Sequence, residues 1–195
     1  IRVGYEQADT DLNLEIGSPL LPTRNGKEAM VRLDVQIDTQ TSPMVPTRGV
    51  FLRGRVDHYL DTADIVPAIG DPYDEVGDFT RMELRGSWFK RAGPGRVFTG
   101  GGFGTAFDAK PRQPYNFVLG GPFTQGALVP GTLVGPNYIQ ATGGYLHEIG
   151  RLPSLLGGPV LAGGWFETGG VYEQIDDPTW NNNLSGGIIV ESILG

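Results

Sequence analysis

The residues best suited to metal binding are few and widely separated in this sequence. It contains two histidines, His58 and His147, and no cysteine. Protein zinc sites use several Cys, His or carboxylate ligands at short, regular spacings, and neither histidine has such neighbours. We interpret both as isolated surface or interfacial side chains, and we expect neither a metal nor a cofactor.

Nucleophilic catalysis is equally poorly supported. The motif Gly-x-Ser-x-Gly, which presents a reactive serine on a sharp turn, does not occur. Ser87 lies between Gly86 and Trp88 in a strand-like segment without a nearby histidine. We therefore expect no catalytic residue in this chain.

A glycine run and an acidic cluster could bind ligands. The run Gly100 to Gly104 could suggest a phosphate loop, but no Lys-Ser/Thr follows it, so close strand packing or clearance for a loop is the better interpretation. The acidic residues of one long connection could offer oxygen ligands to Ca²⁺, yet they lack EF-hand spacing and fit a solvated loop better. They are Asp61, Asp64, Asp71, Asp74, Glu75 and Asp78.

Charges of both signs alternate with apolar residues along three segments, Ala29 to Asp38, Val50 to Leu60 and Arg81 to Lys90. A period of two indicates strands with one apolar and one charged face. The charged face could be a solvated exterior or a ladder inside a barrel lumen, pairing across strands and holding an infolded loop. We favour the lumenal ladder, which comprises Arg32, Asp34, Arg53, Arg55, Asp57, Arg81, Glu83 and Arg85.

Weaker alternation marks further strands, giving about eight in total. A first strand is expected over Ile1 to Gln7, and later ones over Arg96 to Asp108, Asn137 to Glu148, Val160 to Tyr172 and Leu184 to Leu194. Short connections favour consecutive hairpins, with turns at Asn25-Gly26, Ala92 to Gly95 and Leu152 to Gly158. The prediction is an all-β, antiparallel meander in a single domain over residues 1–195.

Composition supports this fold class and excludes some partners. The 195 residues include 31 glycines and 15 prolines, which disfavour a helical protein. The net charge of −7, without a basic block, removes the electrostatic basis for binding nucleic acid. Because the chain begins with Ile1, we expect it to be an excerpt of a longer protein.

The strands have features of a membrane barrel. They are long, about 11 to 13 residues, and several contain glycines that would weaken a soluble sheet. An outer-membrane barrel would turn the apolar face to lipid and the charges to a wet lumen, whereas a soluble sandwich or lipocalin-like barrel would reverse them. We favour the membrane barrel, with a girdle of strand-end aromatics: Tyr59, Trp88, Phe89, Phe98, Phe107 and Tyr172.

The long connection from Lys110 to Pro136 carries no charge beyond Arg112 and would be poorly solvated outside the protein. We expect it to fold into the lumen, where arginines of the ladder (Arg53, Arg55, Arg81 and Arg85) could donate to its carbonyls and to Gln125. The predicted lumenal residues are Gly120, Gly121, Phe123, Gln125 and Gly126.

Several motifs together resemble a known family. Asp38-Thr39 followed by Pro46-Thr47-Arg48-Gly49 resembles a hairpin of the Omp85 / bacterial surface antigen barrels. The runs Leu119 to Phe123, Leu155 to Val160 and Glu167 to Tyr172 resemble the barrel appended to bacterial patatin-like phospholipases. The closing segment, Gly186 to Gly195, is similar to the penultimate region of that barrel.

This resemblance implies an outer-membrane barrel of about sixteen strands, needing on the order of 320 residues, of which this chain would supply the middle and later part. It implies an anchor or translocation domain of type V secretion, with the lipid bilayer, the barrel assembly machinery and an upstream passenger domain as partners. Any lipase would lie outside this chain. Insertases of the superfamily carry Arg-Gly in the infolded loop, where this chain has Gln125-Gly126. The alternatives are an insertase or transporter barrel and a soluble all-β binding module.

Overall fold

A computed structural model describes most of the chain. It covers residues 2–12, 23–42, 45–62, 64–66, 78–107, 115–120, 125–129, 131–153, 155, 157–173 and 178–192. Within these ranges every regular element is a strand, so the predicted all-β class is confirmed. The described ranges contain no helix with the length and hydropathy needed to cross a membrane.

Eight long strands and three short ones make up the described structure. In chain order they are β1 (Arg2–Leu12), β2 (Thr23–Asp38), β3 (Gly49–Asp61), β4 (Asp64–Val66), β5 (Phe79–Ala92), β6 (Gly95–Thr105), β7 (Phe117–Leu119), β8 (Leu133–Gly135), β9 (Asn137–Arg151), β10 (Gly157–Tyr172) and β11 (Thr179–Ser192).

The long strands form one antiparallel sheet in the order β1-β2-β3-β5-β6-β9-β10-β11. The order follows the chain, so the predicted meander is confirmed. Strand β4 pairs with the first residues of β2, while β7 and β8 form a separate two-stranded hairpin. Among the described residues, β1 and β11 each pair with one strand, and the sheet is open between them.

The register gives the sheet two chemically different faces. Leu33, Val56 and Met82 are successive register partners on one of them, which we call the outer face. Asp34 and Arg55 oppose each other on the other, which we call the inner face. Because side chains alternate along a strand, each charge of the ladder lies between two residues of the outer face.

The outer face is apolar and exposed across the sheet. Tyr5 on β1 is 61% exposed, and Leu184 and Ile188 on β11 are 85% and 67% exposed. Strands between these edges contribute further exposed side chains to the same face: Val31, Leu33, Val35, Ile37, Val50, Leu52, Leu84, Trp88, Ile139, Tyr145 and Phe166. The buried apolar side chains therefore lie on the inner face and in the segments packed against it.

The connections differ between the two ends of the sheet. The two longest, 62–78 and 106–136, leave from one end, which we call the loop end. The two shortest, 93–94 and 152–156, leave from the opposite end, which we call the turn end. The connection 39–48 also belongs to the turn end.

One local prediction was wrong. Asn25 and Gly26 form no turn, because both lie inside β2 and pair with Asp11 and Thr10 of β1. Here the pairing with β1 overrides a signal read from two neighbouring residues. The connection from Lys110 to Pro136, which shows no strand periodicity in the sequence, contains the two short strands β7 and β8.

The predicted aromatic girdle is also wrong for part of its set. Tyr59 stacks on Phe79 at 4.6 Å between ring centroids, and Phe89 stacks on Phe98 at 5.5 Å, all four on the inner face. Tyr59 shares its parity with Asp57, so the pleat turns it inward. Trp88 is exposed on the outer face, as a girdle requires.

We predict that Gly49→Ala destabilises the sheet by about 1–3 kcal/mol. Gly49 opens β3 with φ +119°, and an added Cβ would lie against the carbonyl oxygen of Thr39 and 2.7 Å from Gln40 Cα. The control is Gly54→Ala in the same strand, where the Cβ would meet Leu84 Cδ1 at 3.7 Å. Urea unfolding in detergent compares them, and equal midpoints would contradict the prediction.

Candidate functional site

The candidate site is the inner face together with a segment of the long connection that packs on it. We call this segment the inner loop; its described residues are 115–120, 125–129 and 131–136. Phe117, Leu119 and Leu133 pack with Tyr138 of β9 and Val171 of β10 in one buried cluster. The β7–β8 hairpin thereby covers the loop end of the inner face.

Glycines on the inner face of the sheet leave space for the inner loop. A Cβ added at Gly104 would lie 2.6 Å from Phe117 Cε1, and one at Gly169 would lie 3.0 Å from Gln125 Nε2. Both distances are too short for ordinary packing. The contact at Gly104 agrees with the interpretation of the run Gly100 to Gly104 as close strand packing or clearance for a loop, whereas Gly126 of the loop itself is exposed.

The tip of the inner loop is bound by a buried carboxylate. The backbone N–H of Gly126 donates to Glu167 Oε2 at 2.9 Å, and that of Gln125 donates to Oε1 at 3.2 Å. The hydroxyl of Ser185 on β11 adds a third donor at 3.1 Å. Glu167 is 1% exposed, so the carboxylate depends on these protein donors in place of water.

The side chain of Gln125 is held by two asparagines of β11. Asn183 Nδ2 donates to Gln125 Oε1 at 2.9 Å, and Asn181 Nδ2 donates to the same oxygen at 3.2 Å. Gln125 is 1% exposed and has φ 83°, a value uncommon for a residue other than glycine. The loop tip is thus fixed through both its backbone and its side chain.

Sequence reasoning placed Gln125 and Gly126 in an infolded loop but missed the residues that bind them. Glu167, Asn181 and Asn183 were not singled out, and the expected arginine donors to Gln125 are replaced by asparagines. One signal was present: Glu167 is the single charge in β10, on a strand otherwise rich in apolar and small residues. A lone carboxylate in such a strand needs a donor from elsewhere in the fold.

The ladder forms its pairs across β2, β3 and β5. Asp57 accepts from Arg32 Nε at 2.6 Å and lies 3.4 Å from Arg81 Nη2. Asp34 accepts from Arg53 Nη2 at 2.6 Å and from Arg55 Nε at 3.2 Å. Each aspartate therefore contacts two guanidinium groups on the inner face.

The remaining ladder residues connect to β9 and to the inner loop. Arg85 Nη2 lies 2.7 Å from Glu83 Oε1, and the hydroxyl of Tyr138 donates to the same oxygen at 2.9 Å. Arg81 Nη1 donates to the backbone carbonyl of Tyr115 at 2.9 Å, and its guanidinium lies over the ring of Phe117. Arg81 joins the ladder to the inner loop.

The other candidates are dispersed. His58 pairs with Thr80 at 3.0 Å, and His147 with Tyr145 at 3.2 Å, all on the outer face. Ser87 lies on the inner face and accepts from Gln40. Gly100 to Gly104 lie within β6, and the described residues hold no group of three metal-ligating side chains.

Some predicted residues lie outside the described part of the chain. These are Gly121 and Phe123 of the loop, together with Asp71, Asp74 and Glu75 of the acidic connection. Gly120, which is described, has φ +129°.

Comparison of the chain with protein-family models, curated proteins and solved structures finds no match.

We predict that Glu167→Gln destabilises the packed inner loop by about 1–3 kcal/mol, since the amide cannot satisfy both backbone donors as a carboxylate does. Chymotrypsin should then cut the loop faster, and the urea midpoint should fall. The control is Glu148→Gln, which removes an exposed pair with Arg151 that is worth about 0–1 kcal/mol. Equal cleavage rates in both variants would contradict the role of Glu167.

Proposed function

We propose that this chain is part of an outer-membrane β-barrel, serving as the anchor or translocation domain of a patatin-like phospholipase-type surface protein. The observation that carries the proposal is the exposed apolar outer face, opposed to an inner face of paired charges. In this proposal the lipid bilayer contacts the outer face and the charges line the lumen. No catalytic step is assigned to the chain.

The extent of the outer face argues for lipid as its environment. Large apolar side chains are exposed from β1 to β11, including Tyr5, Leu52, Phe166 and Leu184. Soluble monomers rarely expose contiguous apolar patches larger than a few hundred Å². Within the described part of the chain no layer covers this face, and an apolar sheet of this width fits a bilayer better than water.

The height of the apolar band fits a membrane. On β5 the outer-face residues between Thr80 and Lys90 are uncharged, and Thr80 pairs there with His58. Ten residue steps at about 3.3 Å span about 33 Å along a strand. At a tilt of about 40° this corresponds to about 25 Å, the height of the apolar band of outer-membrane barrels.

The difference in length between the connections at the two ends of the sheet supports one orientation of the barrel in the membrane. Outer-membrane barrels have short periplasmic turns and longer extracellular loops. The turn end would therefore face the periplasm, and the loop end, with 62–78 and 106–136, would face outward. The inner loop then enters the lumen from the extracellular side.

The loop tip supports an anchoring or secretory role over the insertase alternative. The insertase motif places an arginine where this chain has Gln125, and here the surroundings of that side chain are neutral amides. Glu167 binds the backbone of the tip. In the proposed parent protein, the barrel assembly machinery would insert the chain and an upstream passenger domain would carry any lipase activity.

We predict that Leu33→Arg lowers the free energy of unfolding in lipid vesicles by about 2–4 kcal/mol, the cost of an arginine at the middle of a bilayer. Leu33 is 42% exposed and lies within the apolar stretch of β2. The matched control is Val129→Arg in the inner loop, where the side chain is 74% exposed and the expected change is within about 0.5 kcal/mol.

The soluble binding module predicts a different result. If the chain were a soluble binding module, both introduced arginines would be solvated, and each would change the free energy of unfolding by no more than about 0.5 kcal/mol. The chain would also remain folded and monomeric without detergent. Either result would overturn the membrane proposal.

A further inference from the structure

Two arginines of the ladder are placed opposite each other on the inner face. Arg53 on β3 and Arg85 on β5 are direct register partners. Register partners on one face of an antiparallel pair have Cβ atoms about 4.5–5.5 Å apart, and like charges in such positions destabilise the pair. The two side chains are 39% and 47% exposed. The sheet thus places two accessible positive charges side by side.

The two side chains are paired in opposite directions across the sheet. Arg53 Nε and Nη2 donate to Asp34 Oδ2 on β2 at 2.9 and 2.6 Å. Arg85 Nε and Nη2 lie 2.9 and 2.7 Å from Glu83 Oε1, and Nε also donates to the hydroxyl of Tyr138 on β9 at 3.1 Å. Pairing toward β2 and toward β9 separates the two guanidinium groups and reduces their repulsion.

Arg55 adds a third guanidinium to this part of the inner face. Its Nε donates to Asp34 Oδ2 at 3.2 Å, the same oxygen that Arg53 contacts. Within the described part of the chain no acceptor contacts Nη1 of Arg53, Nη1 of Arg85 or either Nη atom of Arg55. A guanidinium has five N–H donors, so all three arginines keep donors for a further acceptor.

The three arginines carry more charge than their partners neutralise. They contact two carboxylates, those of Asp34 and Glu83, which leaves one positive charge. This excess is local, because the chain as a whole has a net charge of −7. A concave surface with one sign of charge in excess attracts small ions of the opposite sign.

A cavity beside Arg53 gives a solute room to approach the arginines. It has a volume of about 290 Å³ and is lined by Arg2, Asp34, Gln36, Asp38 and Arg53. This volume is close to the lower end of the range for small-molecule sites, about 300 Å³. Arg2 and Asp38 add one charge of each sign, so the positive excess is unchanged.

We propose that Arg53, Arg55 and Arg85 form a binding site for the phosphate group of a small, water-soluble solute. The guanidinium group matches oxyanions in geometry and remains charged. A carboxylate has two oxygens, and one guanidinium can bind both. A phosphate directs its oxygens tetrahedrally and can accept from three guanidinium groups at once. The site lies on the inner face, so it is separate from the proposed lipid contact.

Calorimetric titration of inorganic phosphate into the full chain in a nonionic detergent tests the site, with sodium chloride keeping the ionic strength constant. We expect one saturable site per chain. Arg53→Gln and Arg85→Gln should each weaken binding at least about tenfold, because each removes charge-assisted hydrogen bonds. The matched control is Arg151→Gln, since Arg151 also pairs with a carboxylate, that of Glu148, but lies at the end of β9. It should leave the affinity unchanged.

Conservative variants separate a lost contact from a lost fold. Arg53→Lys and Arg85→Lys keep a positive charge beside Asp34 and Glu83, so their urea midpoints should stay close to that of the unchanged chain. An ammonium group lacks the planar fork of a guanidinium. Each lysine variant should therefore bind phosphate about two- to tenfold more weakly, the effect of losing one hydrogen bond.

Competition experiments identify the source of the phosphate group. Glycerol 3-phosphate should displace inorganic phosphate and lose affinity in the same variants. If a phosphatidic acid with short acyl chains bound more tightly than glycerol 3-phosphate, the assignment to a water-soluble solute would be wrong. If acetate bound as tightly as phosphate, the assignment to phosphate would be wrong.

Other outcomes overturn the site itself. These are the absence of saturable phosphate binding, and equal affinities in Arg53→Gln, Arg85→Gln and Arg151→Gln. Either result would leave the membrane proposal standing, because Leu33→Arg tests the outer face independently. Conversely, a small effect of Leu33→Arg would overturn the membrane proposal without changing the expected phosphate affinity.

Discussion

The rest of this structure depends on the alternation of side chains between the outer and inner faces along each strand. A step of one residue moves a side chain from an exposed apolar face to a hydrogen-bonded inner face, as from Val56 to the buried Asp57. A buried aspartate must be paired, and Asp34 and Asp57 each contact two arginines. These contacts hold only if β2, β3 and β5 keep their register, because a slip of one residue would turn every charge to the outer face.

Large and small side chains occupy different parts of the inner face, and the difference matches the segments that pack on each part. Arg53 and Arg55 of β3 and Arg81 and Arg85 of β5 lie on the inner face and belong to the ladder. Gly104 and Gly169 lie where the inner loop approaches. A Cβ at Gly104 would lie 2.6 Å from Phe117 Cε1, and one at Gly169 would lie 2.7 Å from the carbonyl oxygen of Ile139 and 3.0 Å from Gln125 Nε2. The shape of the inner face therefore complements the segments that pack on it. Large charged side chains lie beside the inner loop, and glycines lie directly beneath it.

The sequence predicted the strands well because their signal is local and repeats over many residues, as from Ala29 to Asp38. Predictions that depended on distant partners were less successful. Asn25-Gly26 has the composition of a turn, yet pairing with β1 continues through it. Tyr59 and Phe98 lie near strand ends, but their parity turns them inward. Asn181 and Asn183 gave no signal, since their importance arises only when the inner loop, far away in sequence, places Gln125 beside β11.

Two buried side chains of opposite charge on the inner face each bind main-chain groups of a segment that packs on the sheet. Glu167 accepts from backbone N–H groups of the inner loop, and Arg96 of β6 donates to the backbone carbonyls of Val45 and Pro46 in the connection 39–48. Both charged groups are buried, so each contact is strong and each would be costly to leave unpaired. Because the bound groups are main-chain atoms, these contacts depend on the path of the segment more than on its side chains. The inner loop can therefore carry a neutral Gln125 at its tip and still be fixed to the wall.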